Sequence, residues 1–113
     1  MELNMSQHLT NPMIDEVSGL FSALSDTSRL KVLRSLLESK EPLSQGAVAK
    51  GAGLTQANAS KHLACLVRAG LAKREPAGNT VYFSLVMPLV SNLCDLVCGH
   101  VSHRARTSFQ ALR

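Results

Sequence analysis

The sequence predicts a mainly α, α+β domain of about five helices with a two-stranded β-hairpin, and three observations carry that prediction. Ser44 to Leu71 reads as a short helix, a glycine turn and a longer helix. The residues after Gly70 change from a helical to an alternating period. Both ends of the chain carry apolar residues at helical spacing, a pattern that suits pairing of two copies. The combination describes a winged helix-turn-helix domain that dimerises through its N- and C-terminal helices.

At 113 residues the chain fits one domain, 1–113, large enough to bury a core. Hydrophobic content of 45% with 18% charged residues argues against extensive disorder. Twelve Lys+Arg against eight Asp+Glu give +4, compatible with a polyanionic partner. Three cysteines, an odd number, and an N-terminus without a basic and apolar leader predict reduced thiols in a cytoplasmic protein. No apolar run approaches the roughly 20 residues that span a bilayer, so no membrane partner is expected.

Residues 1–10 read as a flexible polar lead. Asn11-Pro12 has the form of an N-cap followed by proline at the first helical position, with Met13, Val17, Leu20, Phe21 and Leu24 as the apolar stripe. Asp26 is the expected cap of the second helix, with Leu30, Leu33, Leu36 and Leu37 inward and Arg29, Lys31 and Arg34 solvated.

The helix-turn-helix spans 44–70. Leu43 and Ser44 read as staple and N-cap of a helix over Gln45 to Ala52, with Gly53 as the turn. Thr55 caps the next helix, where Ala59, Leu63 and Leu66 recur at i, i+4, i+7. Its other face carries Gln56, Ser60, Lys61 and Arg68, among small residues that fit a groove. Gly70 is the expected C′ residue. The wing spans 71–86: strand candidates Leu71–Glu75 and Thr80–Leu85 flank a Pro76–Asn79 turn, with Lys73, Arg74, Asn79 and Thr80 able to reach a DNA backbone. A last helix over 88–108 carries Leu89, Val90, Leu93, Leu96, Val97 and Val101, too wide an apolar surface for one narrow stripe and therefore the expected dimerisation helix.

Three stretches, Ala23–Leu30, Leu54–Leu63 and Ala69–Leu71, together with the hairpin ending in Gly78–Leu85, resemble the ArsR/SmtB family of bacterial winged-helix repressors. The resemblance covers about residues 12–100, in order and spacing, with Thr27 where the family commonly has proline. It implies a homodimeric, non-enzymatic repressor that holds a two-half-site, double-stranded operator until an effector arrives. On matching positions it implies DNA contacts at Gln56, Asn58, Ser60, Lys61, His62, Asn79 and Thr80, to which the helical spacing adds Arg68. Gln56 suits bidentate pairing with adenine, while Ser60, Lys61 and Arg68 suit phosphates. His62 fits either DNA contact or packing against the wing.

The effector is less legible. Glu41–Gln45 lacks the Cys-x-Cys of members similar to arsenic sensors, and Asp95-x-Val97 breaks the Asp-x-His of those similar to zinc sensors. Cys65 stands where the cadmium/lead branch has a ligand, but Ala69 replaces that branch's second cysteine. Cys94 and Cys98 share a helical face about 40° apart, which puts His100 and His103 elsewhere. Three readings fit: Cys94 and Cys98, joined by Cys65 or a residue of a second subunit, as ligands of a thiophilic metal or metalloid ion; the Cys94/Cys98 pair as a redox or reactive-sulfur switch; and cysteines that only pack. No cofactor beyond such an ion is implied. An enzyme is disfavoured, since no phosphate loop, His-Glu-x-x-His or nucleophile elbow is present; a winged helix that binds protein is the remaining rival.

Overall fold

The computed structural model describes residues 9–111. Five helices and three strands follow in the order α1 (Asn11–Ala23), α2 (Thr27–Glu38), β1 (Leu43–Ser44), α3 (Gln45–Ala52), α4 (Gln56–Arg68), β2 (Ala72–Ala77), β3 (Thr80–Leu85) and α5 (Leu89–Ala111). The expected lead falls on residues 1–8, outside the described ones, and on Leu9 and Thr10.

Most helix ends obey the local chemistry of the sequence. Asp26 caps α2 by accepting from the Arg29 amide at 2.9 Å, Ser44 caps α3 through the Ala47 amide, and Thr55 caps α4 through the Asn58 amide at 3.2 Å. Gly53 and Gly70 take φ of 67° and 77°. Around each, two amides fold back onto the helix: Leu54 N–H reaches the Ala49 carbonyl and Leu71 N–H the Leu66 carbonyl, both at 2.9 Å. That is the Schellman arrangement, open to glycine at little cost. One cap differs from expectation: Thr10, not Asn11, receives the Met13 amide, so Pro12 lies one position deeper in the first turn.

The sheet has three strands, not the two expected, in the antiparallel order β1-β3-β2. Leu43 and Ser44 pair with Phe83 and Tyr82, so the residue that caps α3 also ties the helix-turn-helix to the wing. The hairpin is tighter than the sequence suggested. Its ladder runs from Ala72↔Leu85 to Ala77↔Thr80, taking Pro76 into edge strand β2 and leaving Gly78-Asn79 as a two-residue turn.

The core lies among α2, α3, α4 and the sheet. Val32, Leu33 and Leu36 of α2 meet Val48 and Ala52 of α3, Leu63 and Leu66 of α4, and Leu71, Phe83 and Leu85. Leu30, expected inward, is 45% exposed, and Val32 takes its place. Arg29, expected to be solvated, is half-buried. Positions 29, 32, 33 and 36 form the true inner stripe of α2, at i, i+3, i+4, i+7.

The terminal helices attach to this body by one end each. Ala23 is the buried residue of α1, and Val90 is that of α5 among its residues up to Ser108. Met13, Ile14 and Phe21 on α1, and Leu89, Leu96, Val97 and Val101 on α5, are exposed large apolar side chains. Among the described residues no helix is long and apolar enough to cross a membrane.

Candidate nucleic-acid interface

The Schellman end of α3 and the Thr55 cap set α4 at an angle on the body, with Ala59, Leu63 and Leu66 fully buried and the opposite face in solvent. Between that face, the first turn of α3 and the wing lies a groove of about 580 Å³. Ser60, Arg68, Arg74, Asn79 and Thr80 line it. Two guanidinium groups, two short hydroxyls and a carboxamide around one concavity are donors suited to an anionic backbone.

The expected site residues divide three ways. Ser60, Arg68, Asn79 and Thr80 come together on the groove. Gln56, Asn58 and Lys61 are exposed on α4 outside it. His62 is neither: it is 8% exposed, and its Nδ1 is buried without a hydrogen-bond partner. It stands at i+3 from Ala59 and next to Leu63, on the inner stripe. A side chain there faces the body, so His62 is removed from the DNA-facing set. On that side its charge helps to lower the Asp26 carboxyl at the start of α2.

Asp26 links these inner groups. Its carboxyl is held below the usual carboxylate range, chiefly by the hydrogen bond from the Arg29 amide; the charges of His62 and Arg29 act in the same direction, against a smaller desolvation effect. Arg29 Nε, like His62 Nδ1, is buried without a partner.

The residues that sequence reasoning missed are Ser44, Gln45 and Gly46, the first turn of α3, which line the groove beside Ser60. Their signal was present in the Ser44 cap, since a capped helix start leaves further amide hydrogens free at its mouth.

The three cysteines are free thiols. Cys65 and Cys94 are half-buried against the core, and Cys98 is exposed. Burial pushes the Cys94 thiol up, and the neighbouring Cys98 and Asp95 add to the effect. Among the described residues no three His, Cys, Asp or Glu side chains gather closely enough to hold a metal ion. Cys65 instead lines a separate cleft of about 410 Å³ beneath α1, with Asp15, Glu16 and Arg68.

A glycine-jointed helix pair whose second member is flanked by a basic hairpin defines a winged helix-turn-helix protein. The helix-turn-helix domain family matches residues 24–75. The chain is 39% identical over 66 residues to the uncharacterised HTH-type transcriptional regulator YceK of Bacillus subtilis, covering 58% of this chain and 66% of that protein. It is 32% identical over 82 residues to a probable mercury resistance operon repressor of Streptomyces lividans, covering 73% and 64%. It thus spans about two thirds of the length of these relatives. In fold it is similar to the homodimeric winged helix-turn-helix DNA-binding domain of Mb0332 from Mycobacterium bovis, with TM-score 0.78, 22% identity, and coverage of 88% of this chain and 93% of that one. The chain carries the helix-turn-helix domain of DNA-binding transcriptional regulators, not of enzymes, and its fold is that of winged helix-turn-helix proteins such as Mb0332, a possible ArsR-family regulator.

Proposed function

We propose that this protein is a homodimeric transcriptional repressor that holds a two-half-site operator through α4 and the wing, and leaves it when a thiophilic ion binds. The observation that carries the DNA half is the groove of about 580 Å³ that gathers Ser60, Arg68, Arg74, Asn79 and Thr80 beside the exposed Gln56 and Lys61. In this reading α4 enters the major groove and Gln56 pairs with a base edge. Asn58 is exposed on the flank of α4 away from Gln56; Ser60, Lys61 and Arg68 hold phosphates, and Asn79 and Thr80 at the wing tip meet the backbone.

Dimerisation is supported by the exposed apolar residues of α1 and α5, which find no cover within one chain. Two copies packed through these helices would set two α4 helices against successive half-sites. The Mb0332 domain, similar in fold, is homodimeric.

The effector half rests on Cys94 and Cys98, one turn apart on α5, and on the relative described as a mercury resistance operon repressor. Two thiolates suit a soft ion. A single chain offers no third ligand close by among the described residues, so further coordination would come from the second copy. Cys65, beneath α1 and apart from the pair, is left out of this ligand set.

The test is a binding titration of the reduced protein on the DNA upstream of its own gene, at several salt concentrations, then with Hg(II), Zn(II), Cd(II), As(III), peroxide and an organic persulfide. Release by a metal ion, lost in Cys94→Ser and Cys98→Ser, supports the full proposal. Release by oxidant or persulfide alone replaces the ion with a redox switch. Salt-dependent binding that nothing releases keeps the DNA half and assigns the cysteines to packing. No binding, or binding indifferent to salt, overturns the DNA half.

A further inference from the structure

Gln56 opens α4; Gln45 of α3 bonds to it and Gly46 lies beside its side chain. The Gln45 side-chain Nε2 donates to the Gln56 main-chain carbonyl at 3.3 Å, joining the first residue of one helix to the first residue of the next. One position on, a Cβ built at Gly46 would lie 3.6 Å from Gln56 Nε2 and 4.0 Å from its Cδ. The carboxamide of Gln56 therefore lies over bare backbone at Gly46.

Glycine is a poor helix residue, and Gly46 sits inside α3. Its backbone does not demand glycine, since the positive-φ glycines are Gly53, Gly70 and Gly78. A Cβ here would make ordinary contact with the Gln56 amide, so the first atom of a side chain fits. A bulky side chain continuing beyond that Cβ would project toward the space the amide occupies.

We infer that Gln45 and Gly46 are specificity-positioning residues for Gln56, an inference that rests on the base-reading role proposed for that side chain. Gln45 fixes the start of α4 relative to α3, and Gly46 leaves the seat on which the Gln56 amide rests before DNA arrives. A glutamine free in solution samples many rotamers, and bidentate pairing with a base selects few of them. A side chain already seated loses less freedom on binding and presents its donor and acceptor in one orientation. Base preference at the Gln56 step is thus set partly by a helix that need touch no base.

The experiment is selection from a random double-stranded DNA library by the full-length wild-type protein, Gln56→Ala, Gln45→Ala and Gly46→Leu, with melting temperatures measured alongside. Gln56→Ala identifies the base positions that Gln56 reads. Gln45→Ala and Gly46→Leu are expected to relax those same positions by about fivefold or more, the lower end of what one bidentate pair confers. Other positions should keep their preferences. A lost phosphate contact would instead weaken every sequence alike, which separates positioning from simple affinity. If Gln56→Ala relaxes particular positions while neither α3 variant does so, the positioning inference is overturned and the Gln56 reading stands. If Gln56→Ala relaxes nothing, the Gln56 reading fails and takes the inference with it. Gln45→Ala keeps the test decisive should Gly46→Leu lower the melting temperature.

Discussion

Arg29 and Ala23 are joined across the turn between the first two helices: the Arg29 Nη1 donates to the Ala23 carbonyl at 3.2 Å and to the Ser22 carbonyl at 3.4 Å. Helix α1 has no basic residue in its own last turn, so this guanidinium satisfies the Ala23 carbonyl and adds to the Ser25 amide and hydroxyl that already reach the Ser22 carbonyl. Since Ala23 is also the buried residue of α1, the joint is where that helix is fastened to the body. Arg29→Ala is expected to destabilise the fold by about 1–2 kcal/mol through the lost charged hydrogen bonds. It should also weaken self-association, because α1 carries part of the exposed apolar surface. Denaturant titration and sedimentation check both; an unchanged midpoint would show the joint to be idle.

The Thr55 cap stabilises the helix proposed to face DNA. Thr55→Ala should cost about 1 kcal/mol, while Thr55→Ser, which keeps the hydroxyl, should cost a fraction of that. Equal losses in both variants, measured by urea unfolding, would remove the cap as the cause.

Lys61 is exposed and proposed to meet a phosphate. Lys61→Ala should lower affinity for all duplexes by a similar factor and reduce the slope of log K against log salt by about 1. A loss confined to one base sequence would mean that Lys61 reads a base.

Asp26 gives the fold an acid limb. Its folded carboxyl is held below the ordinary range, led by the Arg29 amide hydrogen bond, so folding favours the charged form. The stability it contributes is present above the unfolded value of about 3.9 and lost as pH falls through the lower, folded one. Asp26→Asn keeps an N-capping side chain but cannot titrate. The melting temperatures of wild type and Asp26→Asn should therefore converge as pH is lowered from 6 to below 3. Parallel curves throughout would refute the linkage.

Cys94 should be a slow nucleophile. Burial, then the charges of Cys98 and Asp95, push its thiol above the ordinary value of 9.0. Alkylation of Cys94, followed by peptide mass spectrometry at pH 8, should lag that of free cysteine and accelerate as pH rises above 9. Faster reaction than free cysteine at pH 8 would contradict the burial effect.

The parts of this fold that local chemistry dictates were legible in the chain. Asp26, Ser44, Thr55, Gly53 and Gly70 mark helix ends through their own side chains or backbone freedom, and the helices begin and end at those marks. Strand β1 was not legible, because two residues become a strand only through pairing with Phe83 and Tyr82, far along the chain. Arg29, expected at the surface, is half-buried and His62, for which packing stood beside DNA contact, is buried, both for a shared reason. Each is a polar residue on the inner stripe of its helix, where residue type says surface and spacing says core. Spacing prevails because the long body of each side chain can pack while its polar atoms find Ser22, Ala23 or the field of Asp26. The contact of Gln45 and Gly46 with Gln56 was illegible for a further reason: it depends on the angle between two helices, which no one-dimensional pattern records.

Helix α5 is 23 residues long, roughly 34 Å, and is seated in the core through Val90. From Asp95 to Ser108 every residue is exposed within the chain. Substitutions along that stretch disturb no packing of the DNA-facing body, so they are constrained only by helix propensity and by whatever the helix meets outside its own chain. New ligating or reactive side chains can therefore be tried there one at a time without disturbing the core of the single chain. The same architecture leaves the body free to keep one groove and one exposed helix face while the outer length of its terminal helix varies.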